Sequence, residues 1–227
     1  MLYIDIHMGK IAPAKPLLIL LYGMPGSGKT SFARQLCEHM QAAHVHGDRI
    51  RSELFQNPTY SKDENHLISS LMTYMAGEFL STGVSVIYDT NAMRIAQRRA
   101  LRNMATKTNA ETVLLWFQID ADSAFARASK RSKRRPDDTY SAPQSVDMFK
   151  QQLSGMQNPE ANEPYIVLSG KHLFSTQKNA FLRILRERRL IDGTATNEQL
   201  TKPGLVNLVP NPAAGRVDMS RRNIIIR

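Results

Sequence analysis

The chain has 227 residues, enough for one well-filled domain with a remainder, or for two small ones. Apolar residues make up 42% and charged residues 22%, which argues against wholesale disorder; the single cysteine, Cys37, excludes an intramolecular disulfide framework or a cysteine-built zinc site. Thirty Lys and Arg against twenty acidic residues leave a formal charge of +10, a balance that favours polyanionic partners, either nucleic acid or a membrane surface.

Lys10 and Lys15 precede the apolar run at 17–22, but Pro16 opens that run and it is too short for a signal peptide. No stretch approaches the roughly 20 apolar residues of a membrane span. We therefore expect a cytoplasmic protein without a membrane partner, in which residues 1–16 lead into the first domain. From there, short apolar runs alternate with longer amphipathic segments, which predicts an α/β domain with a parallel sheet. Strands are expected at 17–22, 43–46, 84–88, 112–119 and 165–168, mostly continuous in apolar character as strands buried on both faces should be. Helices are expected between them at 29–40, 62–80, 94–106 and 123–131, from Pro143 to 153, and at 176–190. The second of these carries Leu67, Ile68, Leu71, Met72, Met75 and Phe79 as an i, i+3/i+4 stripe. After Asp192-Gly193 the composition turns to Thr, Asn, Pro and Gly, then to a basic end at 216–227. The expected division is thus a domain at 17–190 and a loop-rich, basic extension at 191–227, whose Ile224-Ile225-Ile226 could dock as an edge strand. There are no repeats and no signal for an oligomeric state.

The strongest motif is Gly23-Met24-Pro25-Gly26-Ser27-Gly28-Lys29-Thr30, with Ser31 following, which matches G-x-x-x-x-G-K-[ST] between a strand and a helix. Its glycines let backbone N–H groups turn inward around an anion, and the helix N-terminus adds its positive dipole end. Lys29 would reach the β- and γ-phosphates of a nucleoside triphosphate, and Thr30 would offer its hydroxyl to Mg²⁺. The alternative, a glycine-rich strand–helix turn without a ligand, is disfavoured by that context.

Asp48 and Arg51 follow the second strand. On a helix they share a face: the carboxylate can take a proton from a substrate hydroxyl and the arginine can hold it or clamp a phosphate. The competing reading is an N-cap aspartate with an ordinary ion pair. Asp89 ends the third strand in Asp89-Thr90-Asn91, where it can join the Mg²⁺ shell or orient Arg51, or simply begin a turn. Arg127, Lys130, Arg131, Lys133, Arg134 and Arg135 form a basic cluster. From 94 to 135, eleven Lys and Arg against three acidic residues leave +8 of the chain's +10. Such a run is commonly a solvated face, but after a fourth strand it suits a mobile segment, about 127–142, that closes over phosphates. Arg127 and Arg131, four residues apart, could point at one anion.

The run Ile119-Asp120-Ala121-Asp122 imitates the nucleophile motif of haloacid-dehalogenase phosphatases, but Ala124 breaks it, and Asp122 is expected to cap the next helix. His39, His44, His46, His66 and His172 show no metal-ligand spacing and are read as surface or core residues. No Asn-Lys-x-Asp guanine motif is present.

Taken in order over roughly residues 17–155, the phosphate loop, Asp48-x-x-Arg51, Asp89-Thr90-Asn91 with Arg98-Arg99, and Arg127-x-x-x-Arg131 resemble the kinase domain of phage-type polynucleotide 5′-kinases. The Asp-x-x-Arg and Asp-Thr-Asn elements are shared more widely, including with zeta-toxin-like kinases. The resemblance implies a P-loop sheet of order 2-3-1-4-5 and Mg²⁺-dependent transfer of the ATP γ-phosphate to a 5′-hydroxyl of DNA or RNA. It implies Asp48 as general base, Arg51 on the substrate phosphate or the base, and Lys29 with Arg131 on the transferring group, assisted by Arg127. Acceptor contacts would fall at Asp48, Arg51, Asp89 and Asn91. Arg49 stands where those enzymes tend to have a second acidic residue, and nothing matches their phosphatase domain, so 3′-phosphatase activity is not expected. Two other readings stay open: a small-molecule kinase of the same fold, and a non-catalytic ATP-dependent RNA-binding module.

Overall fold

The computed structural model describes residues 10–91, 94–160 and 162–191. The opening apolar run forms β1 (Leu17–Gly23), every residue of it buried, as the absence of alternation requires. The phosphate loop then leads into α1 (Lys29–His39). Next come β2 (Ala42–His46), α2 (Gly47–Leu54) and α3 (Lys62–Ser81). β3 (Ser85–Asp89), α4 (Ile95–Lys107), β4 (Glu111–Gln118) and α5 (Ala121–Ser129) follow. α6 (Val146–Ser154), β5 (Tyr165–Ser169) and α7 (Phe174–Glu187) complete the described elements.

All strand pairings are parallel and the sheet order is β2-β3-β1-β4-β5, as the resemblance implied. Helices cover both faces. Leu17, Ile19 and Leu21 meet Phe32 and Leu36 of α1 and Phe181 and Leu185 of α7. Leu18, Leu20 and Tyr22 meet Ile68 and Met72 of α3 and Leu101 of α4. The parallel arrangement brings every strand's carboxyl end to one edge, with β1 and its phosphate loop at the centre.

Several local expectations need correction. Asp120, not Asp122, caps α5, accepting a hydrogen bond from Ser123 N at 2.8 Å, and Asp122 lies in the first turn. α6 starts after Ser145, whose hydroxyl accepts from Met148 N, rather than at Pro143. Leu67 of the α3 stripe faces solvent at 51% exposure, because the buried seam runs through Ile68, Met72, Ala76 and Leu80 at a strict four-residue spacing. In the segment expected to lead into the domain, Ile11 is buried in the core and Pro13 bridges Ile191 antiparallel. The extension from 192 onward lies outside the described residues, and so does its isoleucine run.

Part of the positive charge is internal. Arg98 of α4 is fully buried and binds Glu163 through Nε and Nη2 at 2.8 Å each, with Arg102 also on Glu163. A buried guanidinium needs such a partner, because removing either half leaves an uncompensated charge. These arginines hold α4 to the segment before β5, and Arg98 is not available to an external anion. Lys130, Lys133, Arg134 and Arg135 remain exposed.

Candidate active site

The phosphate loop is shaped by two glycines at positive φ, one of them at a contact that a side chain would forbid. Gly26 has φ +79, and a Cβ there would stand 2.1 Å from Ala124 O of α5. Gly28, at φ +95, is the N-cap of α1 and supplies no side-chain cap. Among the described residues outside its own chain neighbours, nothing lies within 4 Å of where its Cβ would be, so the loop is open at the start of α1, the setting a phosphate group needs. Lys29 Nζ folds back into the loop and donates to Gly23 O at 2.8 Å and Met24 O at 2.9 Å. Burial there pushes its ammonium down to about 8, against the pull of the Asp89 and Asp48 carboxylates and with a further push from Arg131. Lys29 thus feels the charges of Asp89, Arg131 and Asp48.

Asp89 is buried at the end of β3. Thr30 Oγ1 donates to its Oδ1 at 3.3 Å, and His44 Nε2 lies 2.9 Å from its Oδ2, with His46 Nε2 at 3.7 Å. Burial alone would raise this carboxyl; the His44 hydrogen bond and the charges of His46 and Lys29 outweigh it and hold it below the usual carboxylate range. Asp89 therefore does not touch Arg51, which was one of its expected roles. Asn91 Oδ1 accepts from Gly23 N at 3.3 Å, bracing the start of the loop, while its buried Nδ2 has no hydrogen-bond partner among the described residues.

α2 begins directly after β2 with His46 at its N-cap, so Asp48 sits in the first turn and not at the cap. Its Oδ2 accepts from Ser141 Oγ at 2.7 Å. Arg51 does not pair with Asp48. Its guanidinium binds Glu64 and Asn65 Oδ1 and lies 4.5 Å from the centre of the Tyr60 ring. Glu64 also accepts from Thr59 N and Oγ1 at 2.7 Å and from Tyr60 N at 3.1 Å. Burial would raise the Glu64 carboxyl, but the bonds from Thr59 and Arg51 hold it at about 2. A carboxyl depressed from 4.5 contributes stability that is complete above that value and is lost as pH falls toward 2. Glu64→Gln is expected to lower stability at neutral pH and to flatten the acid limb between those values. Urea unfolding at a series of pH values checks this, and an unchanged acid slope would contradict it.

The segment after α5 closes down on this edge. Asp137 Oδ1 accepts from Arg34 Nε of α1 at 2.7 Å, and Tyr140 stands edge-on to His46 at 5.9 Å. Arg131 donates to Ala142 O at 3.3 Å, whereas Arg127 donates to Gly170 O at 2.7 Å, so the two arginines do not share a partner. Gly170 matters for a second reason: a Cβ on it would sit 2.6 Å from Ser27 O, so the turn after β5 presses against the phosphate loop. A cavity of about 760 Å³ opens beside Met24, lined by Trp116, Gln118, Ser169, Lys171 and Met156. Its strands β4 and β5 lie on the far side of β1 from β2, so it is not where Asp48 could reach an acceptor.

Ser141, Glu64, Gly170, His44 and His46 were not among the sequence candidates. Glu64 had a local signal, Ser61-x-x-Glu64 opening a helix, and Ser61 Oγ does accept from Glu64 N at 3.2 Å. His44 and His46 had the two-residue spacing that puts side chains on one face of a strand. Ser141 and Gly170 had none.

An uncapped helix start, an open glycine cradle and a Thr30–Asp89 pair of oxygen donors fit a magnesium-bound nucleotide. Together with the parallel sheet they define a P-loop NTPase of the kinase fold. The chain belongs to the AAA domain family, which it matches over residues 18–159. It is similar to the L-seryl-tRNA(Sec) kinase of Methanococcus maripaludis, 23% identical over 124 residues that make up 54% of this chain and 49% of that protein. The chain thus spans about half the length of that curated relative. Among solved structures it is similar to Kti12 of Chaetomium thermophilum in complex with ADP-AlF3, with TM-score 0.58 and 17% identity over 78% of this chain and 100% of that one. A gluconokinase from Sinorhizobium meliloti is similar with TM-score 0.55 and 17% identity, over 77% and 94% of the two chains. At such identities the structural likeness is one of fold. Among the described residues no helix is long and apolar enough to cross a membrane.

Proposed function

We propose that the protein is an ATP- and Mg²⁺-dependent phosphotransferase whose acceptor is a hydroxyl group carried by nucleic acid, the 5′-hydroxyl of DNA or RNA. The observation that carries the reading is the Asp48 carboxylate in the first turn of α2, directly after β2, close enough to Lys29 for its charge to be felt there along with that of Arg131. Mg²⁺-ATP supplies the electrophilic phosphoryl group. Residues Gly23 to Ser31 would bind its phosphates, Thr30 would hold the ion, and Asp89 would act behind it. Asp48 takes the acceptor's proton as the acceptor oxygen bonds to the γ-phosphorus and ADP leaves. Lys29 and Arg131 neutralise charge on the transferring oxygens. Arg51, fixed by Glu64 and Asn65, offers a set positive charge for the acceptor's own phosphate. Arg127 would assist from the last turn of α5.

Two findings support a nucleic-acid acceptor: the exposed Lys130, Lys133, Arg134 and Arg135, and the likeness to a kinase named for a tRNA. The Ser141–Asp48 contact favours a second reading, because a covered base suits a small acceptor such as a sugar. Salt separates the two. Neutralising four phosphates of a single strand should weaken oligonucleotide binding about 50-fold between about 50 and about 200 mM salt. Fluorescence anisotropy with a 5′-hydroxyl oligonucleotide reads this directly. A flat response, or no binding, would remove nucleic acid as the acceptor.

A further inference from the structure

We propose that His44, His46 and Asp89 form a binding site for a first-row divalent transition-metal ion of the zinc type, distinct in chemistry from the Mg²⁺ position at Thr30. β2 and β3 pair in parallel with His46 opposite Asp89, and His44 lies two residues before His46. All three side chains therefore project from the same face of the sheet. The two imidazoles are stacked, with ring centres 5.3 Å apart and planes 3° from parallel. Both aim Nε2 at one carboxylate oxygen, Asp89 Oδ2, at 2.9 and 3.7 Å, and the three donor atoms lie within 4.8 Å of one another.

Those separations are near what a metal demands. Zinc-to-nitrogen and zinc-to-oxygen bonds of about 2.0–2.2 Å place neighbouring ligand atoms on the order of 3–3.5 Å apart. Small side-chain rotations therefore convert the present hydrogen-bonded cluster into a coordination shell. The ligand types set the ion. Imidazole nitrogens suit zinc, copper, iron and nickel, whereas Mg²⁺ takes oxygen ligands in near-octahedral geometry. Asp89 divides between the two chemistries: Oδ1 faces the Thr30 hydroxyl, and Oδ2 faces two imidazoles. Burial reinforces the preference, since Asp89 and His46 are almost fully enclosed and His44 is the partly open member.

The test is direct metal binding by the full-length protein in nucleotide-free buffer, free of chelating tags. Titration with Co²⁺ should develop ligand-field absorption at one equivalent, and Zn²⁺ should displace it while excess Mg²⁺ should not. Zn²⁺ should also raise the thermal midpoint of the wild type. His44→Ala should abolish the spectrum and weaken Zn²⁺ binding by more than the roughly 10–100-fold that loss of an outer partner costs. His44 is the most exposed ligand, so this variant keeps the fold testable where His46→Ala does not. His172→Ala should bind as the wild type does. No Co²⁺ spectrum and no Zn²⁺ stabilisation in the wild type would overturn the site. So would binding that survives in His44→Ala, or that fails equally in His172→Ala.

Discussion

Lys29→Ala is expected to abolish phosphoryl transfer and to weaken ATP binding. The ammonium is held at the loop by Gly23 O and Met24 O, in a position from which a bound phosphate can recruit it. It acts where water is excluded, and loss of one preorganised donor to a developing charge costs on the order of 10²–10³ in rate. Weakened ground-state binding adds to that. The same substitution removes a donor from Gly23 O and from Met24 O, the latter keeping Ser27 N at 3.1 Å, so nucleotide affinity by calorimetry and the thermal midpoint must be read beside turnover. Wild-type turnover in Lys29→Ala would refute the assignment of the phosphate loop.

Asp48→Ala should lose about 10²–10⁴ of the transfer rate, the typical contribution of a general base, while ATP affinity stays near that of the wild type. The contact with Ser141 at 2.7 Å supplies a rival explanation, in which Asp48 merely fastens the segment after α5 to the site. Ser141→Ala distinguishes them. It removes the fastening and keeps the carboxylate, at a cost of about 1 kcal/mol for one hydrogen bond. If Asp48 is the base, single-turnover rates should fall steeply in Asp48→Ala and only slightly in Ser141→Ala. Equal effects in the two variants would make Asp48 a clasp.

How much of this was legible in the sequence follows from what each feature depends on. The strands were legible because continuous apolar runs between amphipathic segments have few other uses, and β1 is the plainest case. The phosphate loop was legible because its positive-φ turns at Gly26 and Gly28 are a local demand, although the contact that also excludes a side chain at Gly26 comes from Ala124 of α5. The order of the strands came from the family resemblance; apolar periodicity does not contain it. What escaped was set by distant pairing. His44 and His46 acquire meaning only when the β2–β3 register brings Asp89 opposite His46, 43 residues along the chain. Arg51 was placed beside Asp48 by helical spacing, but Glu64 and Asn65 capture it from α3, because a buried guanidinium goes where several acceptors converge. Arg98 looked like part of a basic surface and proved to be an internal anchor for Glu163. The charge of an arginine is visible in a sequence, but its burial depends on the fold.

If the P-loop site transfers the ATP γ-phosphate to a hydroxyl of nucleic acid, as proposed, incorporation of labelled γ-phosphate into 5′-hydroxyl DNA and RNA oligonucleotides, beside 5′-phosphorylated strands and a panel of sugars, reads it out. Label is expected on the 5′-hydroxyl strands alone, and none with Asp48→Ala. Label on a sugar and on neither nucleic acid would contradict it.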